Sequence, residues 1–338
     1  MKSIAIVILN WNGKHYLEQF LPIVIENTCA ENFSVRVVIA DNGSTDGSVE
    51  WLEKKYPSLQ TIVLDKNYGF TGGYNKSLKQ IQSDYYLLLN SDIEVTKGWL
   101  EPLLTFMENN PRAAGCMPKL LSYNNKEKFE YAGAAGGYLD MFGYPFCRGR
   151  ILNVVEEDRG QYDNEQEVFW ATGACLVVRS KEYWAAGGLD DDFFAHMEEI
   201  DLCWRLKRRG YSIWCIPQSV VYHVGGGTLS SDSPRKVYFN HRNNLVMLLK
   251  NLSRQSLIPV ITFRLGLDVL SAIGYAITGK PSFVWSVFKA HIHFYKNLAK
   301  NIRKRRAFKN PKISLYKYSI LIQFFVRRRT KYSQLPTR

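Results

Sequence analysis

Residues 84–95 read DYYLLLNSDIEV, and this stretch decides the fold. Five apolar side chains in succession, Tyr85, Tyr86, Leu87, Leu88 and Leu89, stop at Asn90-Ser91-Asp92. A short apolar run bounded by polar turn formers predicts a strand buried on both faces of a parallel sheet. Ligands of open α/β sheets gather beyond the carboxyl ends of such strands, which puts Asp92 where a hard cation and a phosphate could meet. The competing reading is turn chemistry alone, with Ser91 and Asp92 capping the next segment.

The segments upstream repeat the pattern. Residues 3–9 form an apolar run ending at Asn10-Trp11-Asn12-Gly13, followed by Leu17, Phe20, Leu21 and Val24 at helical spacing despite Pro22. Residues 35–40 make a β-branched strand that ends at DNGSTD, positions 41–46, where Ser44, Thr45 or Asp46 can cap the helix carrying Val49 and Leu52. Residues 61–64 make a third strand, followed by the glycine-rich NYGFTGGYN at 67–75 and a helix to Gln82. This succession predicts an α/β domain with a mainly parallel sheet flanked by helices. Polar loops beginning at Asn10, Asp41 and Asn90 then reach one sheet edge, joined by the glycine-rich segment. Gly69, Gly72 and Gly73 permit close backbone approach or a positive φ, and the helix N-terminus after them suits an anion; a plain turn is the alternative. Neither the G-x-G-x-x-G spacing nor the Walker pattern is present, which disfavours a dinucleotide fingerprint and a P-loop.

A second cluster, DDDFFAHMEEIDLCWRL at 190–206, mixes carboxylates with aromatics. A helix from about Met197 to a C-terminal cap at Gly210 puts Glu198 and Asp201 on one face, with Glu199 turned about 100° away. Acids in a first turn are stabilised by the helix dipole without any chemistry. The functional alternative makes one of them a general base, raised in pKa by neighbouring carboxylates and by Phe193, Phe194 and Met197. His223 closes a short strand ahead of Val224-Gly225-Gly226-Gly227-Thr228; it is a structural imidazole or a ligand for a transition metal such as manganese. Between the clusters, residues 115–163 read as irregular loops with an edge hairpin lining an acceptor groove, and 167–179 as a strand pair or bent strand kinked at Gly173.

The 338 residues carry a net charge of +13, unevenly spread: +20 from Gly227 onward and −7 before it. An acidic body with a basic tail points to an anionic partner for the tail. Within the tail, residues 257–279 are interrupted by Arg264, Gly266, Asp268 and Gly274, and residues 313–326 carry Lys317. Neither gives the ~20 uninterrupted apolar residues of a span. Aromatics such as Trp285, Phe288, Phe294 and Tyr295 beside the run Arg303-Lys304-Arg305-Arg306 fit interfacial helices on an anionic leaflet, in preference to nucleic acid. Six scattered cysteines support neither a zinc site nor a disulfide framework. No signal peptide opens the sequence, so the expected location is the cytoplasm, peripherally attached to the inner face of the cell membrane.

The blocks VILNWNG, DNGSTDGS, NYGFTGGYN, LLLNSD, FFAHMEEIDLCWRL and HVGGGT occur in that order between residues 7 and 228. Together they resemble the inverting, metal-dependent family 2 glycosyltransferases of the GT-A fold, in particular the rhamnosyltransferase-like branch of bacterial surface polysaccharide synthesis. The resemblance implies a catalytic domain over residues 1–228, with a nucleotide-sugar half at 1–95 and an acceptor half at 96–228. A basic, helical, membrane-associating region occupies 229–338. The resemblance also implies that Asp41 binds the base of a nucleoside-diphosphate sugar, and that Asn10, Asn67, Gly69, Gly72, Gly73, Asn75, Asn90 and Ser91 border the donor. Asp92 and His223 would hold Mn²⁺ or Mg²⁺, Asn90 standing where the family has the first Asp of its D-x-D-like motif. Glu199 takes the position of the base, with Glu198 and Asp201 as rivals. The implied acceptor is a growing cell-surface glycan, expected on a polyprenyl diphosphate lipid. The alternatives are a catalytically inactive nucleotide-sugar-binding protein and a nucleotidyltransferase; the latter would need a Lys-containing glycine-rich loop where Asn10-Trp11-Asn12-Gly13 stands.

Overall fold

The computed structural model describes residues 1–225, 233–305 and 313–337. Gly226, Gly227 and Thr228 of the glycine run and Arg306 of the basic run lie outside the described residues. The first half of the chain alternates as the sequence predicts: β1 (Lys2–Asn10), α1 (Lys14–Asn27), β2 (Phe33–Asp41), α2 (Ser48–Lys55), β3 (Gln60–Val63), α3 (Gly69–Leu78) and β4 (Tyr85–Asn90). Then come β5 (Ile93–Val95), α4 (Leu100–Asn109) and β6 (Ala113–Ser122), followed by four short strands, β7 (Gly137–Leu139), β8 (Pro145–Cys147), β9 (Arg150–Ile151) and β10 (Val154–Val155). The catalytic half closes with β11 (Gln166–Val168), β12 (Cys175–Arg179), α5 (Ser180–Ala185), α6 (Glu198–Arg208) and β13 (Ser212–His223).

The large sheet runs β11-β13-β6-β12-β4-β1-β2-β3, with β5 paired to β13. β4, β1, β2 and β3 are mutually parallel, and β12 is antiparallel to β4 and β6. Ile4 to Ile8 on β1 and Leu87, Leu88 and Leu89 on β4 are fully buried, as continuous apolar runs covered by helices on both faces must be. Three local expectations are corrected. The glycine-rich segment is not a loop but the opening turns of α3, because Gly72 and Gly73 let that helix lie against Tyr68, Leu9 and Asn42 at distances a Cβ would close to 2.9 Å. The short strand expected to end at His223 is instead the end of one long strand over residues 212–223, with register shifts against β6 between Ser212 and Ile213 and between Ile216 and Val220. Within residues 115–163, read as irregular, β6 is a central sheet strand and β7 to β10 make a separate four-stranded antiparallel sheet.

Four helices come next: α7 (Pro234–Asn251), α8 (Arg254–Ile277), α9 (Pro281–Lys296) and α10 (Leu298–Lys304). α7 is built into the body, with Leu245, Val246, Met247, Leu248 and Leu249 all buried in the common core. Downstream, the backbone N–H of Ile320 donates to Asp140 at 2.8 Å and that of Tyr332 to Glu156 at 2.9 Å, tying the end of the chain to the small sheet. α8 has inverted polarity. Its buried positions are Val260, Arg264 and Asp268, whereas Ile258, Phe263, Val269, Leu270, Ile273 and Ile277 are exposed. Asp268 is held from within by His241 at 2.8 Å and His291 at 3.0 Å, while Arg264 stacks 3.7 Å from the Tyr144 ring centroid. A helix packed on a protein core normally shows the reverse.

Candidate active site

Parallel register assembles the edge. Asn10 pairs with Asp41 and Leu9 with Asn90, so the loops after β1, β2 and β4 emerge side by side. Asp41 is fully buried, and its two oxygens accept from Asn10 Nδ2 at 3.0 Å and from the Ser44 N–H at 2.8 Å. Its carboxylate therefore braces the loops instead of presenting an open face. Asn67 Oδ1 accepts from the Gly69 N–H at 2.7 Å and from Asn42 Nδ2 at 3.1 Å, fixing the start of α3. α3 begins at Gly69, ahead of the helix start expected to suit an anion, and its first amides are occupied: those of Phe70 and Thr71 donate to the carbonyl of Phe194 at 2.7 and 3.3 Å. Asn75 points away from this edge: it bonds Tyr183 Oη at 2.6 Å, the Leu189 backbone and Asp191 Oδ1. Gly69, at φ +73°, abuts Phe194.

The pair that the sequence singled out for a cation is formed. β5 and β13 align Ile93 with His223, and the Val224 N–H donates to the Asp92 carbonyl at 3.1 Å. Asp92 Oδ1 and His223 Nε2 are then 3.2 Å apart, with Asn90 Nδ2 3.5 Å from the same ring nitrogen. Burial opposes ionisation of Asp92, but the imidazole beside it holds its carboxyl below the ordinary range. Burial would likewise keep His223 neutral; Glu130 and Asp92 on either side override it and push its pKa up to about 10. Glu130 was not found from sequence. It is buried, and its Oε1 lies 3.3 Å from His223 Nδ1, while its Oε2 accepts from the Ala132 N–H. A carboxylate behind the far nitrogen of an imidazole is how proteins orient a metal-ligating histidine. Asp92 and His223 could hold a divalent cation only with the displacement of the proton that these two carboxylates keep on the imidazole, Glu130 then orienting the ring from behind. Among the described residues no group of three or more His, Cys, Asp or Glu side chains is placed to hold a metal ion.

Glu198 and Glu199 open α6. The Asn90 N–H donates to the Ala174 carbonyl at 2.9 Å, and a Cβ built on the neighbouring Gly173 would sit 3.6 Å from Glu199 Cβ, so α6 starts beside the strand end that carries Asp92. Cys147 lies within electrostatic reach of both Glu130 and Glu199. Burial raises both glutamates, and their mutual repulsion raises Glu198 further, so a proton is retained between them above the usual carboxylate range. Asp201, the third candidate, is committed to other partners. It is fully buried, accepts from Arg205 Nε and Lys250 Nζ at 2.8 Å each and from Asn251 Nδ2 at 2.7 Å, and these cations hold it ionised against the cost of burial. It neutralises a buried cationic cluster.

The loop before α6 is strained. Phe194, His196 and Met197 have φ of 66°, 70° and 70°, and the Ala195 N–H donates to the Phe193 carbonyl at 2.8 Å in a positive-φ γ-turn. Each such residue costs about 1–3 kcal/mol and persists only where its surroundings over-determine it.

A mainly parallel α/β sheet whose strand ends carry a carboxylate–imidazole pair, with glutamates opening a helix near the same edge, is the architecture of the GT-A fold. Residues 4–156 match the family described as Glycosyl transferase family 2, and the chain is a glycosyltransferase carrying that family's domain. It is 24% identical over 263 residues to N-acetylglucosaminyl-diphospho-decaprenol L-rhamnosyltransferase of Mycobacterium tuberculosis, covering 72% of this chain and 83% of the relative. Among solved structures, GalNAc-T7 with UDP, GalNAc and Mn²⁺ superposes with a TM-score of 0.57 at 14% identity, over 74% of this chain and 48% of that one. The mannosyltransferase PcManGT of Pyrobaculum calidifontis, in complex with GDP-Man and Mn²⁺, gives 0.51 at 13% identity over 86% of each chain. The structural likenesses establish the GT-A fold.

Proposed function

We propose that the protein transfers a sugar, rhamnose in the preferred reading, with inversion, from a nucleoside-diphosphate donor to a glycan carried on a polyprenyl diphosphate at the membrane. The observation that carries this reading is the Asp92–His223 pair, 3.2 Å apart, at the sheet edge near which α6 opens with the buried Glu198 and the half-buried Glu199. Asp92 and His223 would hold Mn²⁺ or Mg²⁺, which when bound neutralises charge on the departing diphosphate as a Lewis acid. Glu130 fixes the His223 ring so that Nε2 faces Asp92. The loops led by Asn10, Asp41 and Asn67 border the nucleotide, with Asn90 and Ser91 beside the diphosphate. Glu199 takes the proton from the attacking acceptor hydroxyl on the face opposite the leaving group, and Glu198, protonated beside it, keeps the pair singly charged. A buried base of raised pKa can remove that proton near neutral pH, whereas Asp201 cannot because Lys250 and Arg205 already neutralise it.

The acceptor assignment rests on the relative's named substrate and on the tail. Apart from Arg254 at its start, the exposed face of α8 carries no charge, and Trp285, Phe288 and Tyr295 of α9 are exposed with Lys289 and Lys296. An apolar face with aromatics and lysines suits the interface of an anionic leaflet. α8 is long and apolar enough by length and composition to cross a bilayer, but Arg264 and Asp268 are committed to contacts inside the protein, which favours peripheral attachment. The test is Glu199→Gln: donor binding in the presence of Mn²⁺ is retained and turnover falls at least ~100-fold, the range of general-base catalysis. Turnover within a few fold of wild type removes Glu199 from this role.

A further inference from the structure

The five residues ahead of α6, 193–197, hold a conformation that their own sequence disfavours, and the groups that impose it come from α7. Asn243 Nδ2 lies 3.1, 2.8 and 2.7 Å from the carbonyl oxygens of Phe193, Ala195 and His196. Arg242 Nη2 donates at 2.8 Å to the carbonyls of both Asp192 and Phe193. The two side chains are registered to each other, since Arg242 Nε donates to Asn243 Oδ1 at 2.8 Å, which turns the amide nitrogen toward the loop. Arg242 Nη1 is anchored in turn by Tyr238 Oη at 3.0 Å, and that hydroxyl bonds His293 Nδ1 of α9 at 2.6 Å. On its other side the Phe194 carbonyl accepts from the first turn of α3, so the strained residue joins the donor-side helix to the base-bearing helix. Asn243 is 1% exposed, and its amide has no role in the chemistry proposed above.

We infer that Arg242 and Asn243 are positioning residues for the transfer reaction, gathering the carbonyls of Asp192, Phe193, Ala195 and His196 so that α6 starts in the one orientation that presents Glu198 and Glu199 for the reaction. This rests on the reading of α6 as the source of the base. It makes the first helix of the tail part of the catalytic apparatus, through groups that contact neither donor nor acceptor. A misplacement of about 1 Å at a reacting group can cost on the order of 100-fold in rate, so releasing the loop is felt in turnover before it is felt in binding.

The test uses the whole 338-residue chain with a nucleoside-diphosphate L-rhamnose as donor probe and a short polyprenyl-diphospho-N-acetylglucosamine as acceptor. Asn243→Ala is expected to lower kcat at least ~10-fold with the donor KM changed by no more than about twofold. Hydrogen exchange should quicken across 193–201 and stay unchanged in β4. Arg242→Lys, which keeps the charge and a single donor, should fall between wild type and Asn243→Ala. A wild-type kcat in Asn243→Ala overturns the inference, as does a fall in kcat matched by the donor KM with faster exchange throughout the sheet. If Asn243→Ala does not fold, Arg242→Lys is read alone: a lower kcat at constant KM supports the inference and an unchanged kcat refutes it. The base assignment fails separately, through a Glu199→Gln variant that still turns over; a dead Glu199→Gln beside an unaffected Asn243→Ala sinks the positioning role alone.

Discussion

Replacing Lys250 by Met tests whether the acid at position 201 is structural. Lys250 Nζ sits 2.8 Å from Asp201 Oδ2 and 2.6 Å from Asp190 Oδ2, with its side chain 5% exposed and that of Asp201 0%. Methionine retains the apolar stem and removes the charge. Breaking a buried pair from one side costs about 3–5 kcal/mol. Asp201 would keep Arg205 and Asn251, and Asp190 would keep Lys304, so the lower end, about 3 kcal/mol, is expected. The assay is urea unfolding as a function of pH. Burial disfavours the Asp201 carboxylate, yet Lys250 and Arg205 depress its pKa below the unfolded value. Its contribution is therefore present above the unfolded value of about 3.9 and is lost as pH falls through the depressed folded value. Lys250→Met should lose stability at neutral pH and show a shallower acid-side decline than wild type. The acid limb of kcat should not move. A loss under about 1 kcal/mol would refute the buried cluster. An Asp201→Asn variant that stays folded but does not turn over would return Asp201 to the list of bases.

The raised glutamate pair predicts an acid limb of kcat above the ordinary glutamate value of about 4.3. Because their folded pKa values lie above the unfolded ones, these groups take stability away as pH rises between the two, so Glu198→Gln should raise Tm at neutral pH, measured by calorimetry. Leu270→Glu with Ile273→Glu, both on the exposed face of α8, should weaken flotation with anionic vesicles at least ~10-fold and leave turnover on a water-soluble acceptor intact. Gly69→Ala should destabilise the fold by about 1–3 kcal/mol in chemical denaturation, since φ is +73° and a Cβ would meet Phe194 at 2.5 Å.

The Asp92–His223 pair was legible because strand ends and parallel pairing are local, periodic properties that carry both residues to one edge. Glu130 was not, because it reaches His223 from a stretch with no helical or strand period, and nothing in its neighbours marks an acid that will be buried. Asp201 looked like a rival base because it shares a helix face with Glu198; its partner Lys250 lies 49 residues away and leaves no trace in that spacing. The same limit hid Asn75, which tertiary contacts with Tyr183 and Leu189 draw away from the donor edge. The glycines at 72 and 73 were ambiguous for a different reason. Absence of a side chain signals proximity without saying whether the neighbour is a ligand or, as here, the protein's own Tyr68, Leu9 and Asn42.

That α7 grips the segment ahead of α6 bears on how such enzymes can be recombined. A hybrid joined at residue 228 would inherit the exposed apolar face of α8 from one parent and the GT-A sheet from another. The segment ahead of its α6 would nevertheless be held by an α7 that had evolved against a different loop. Crossovers placed after Asn251, leaving α7 with its own body, should give working hybrids more often.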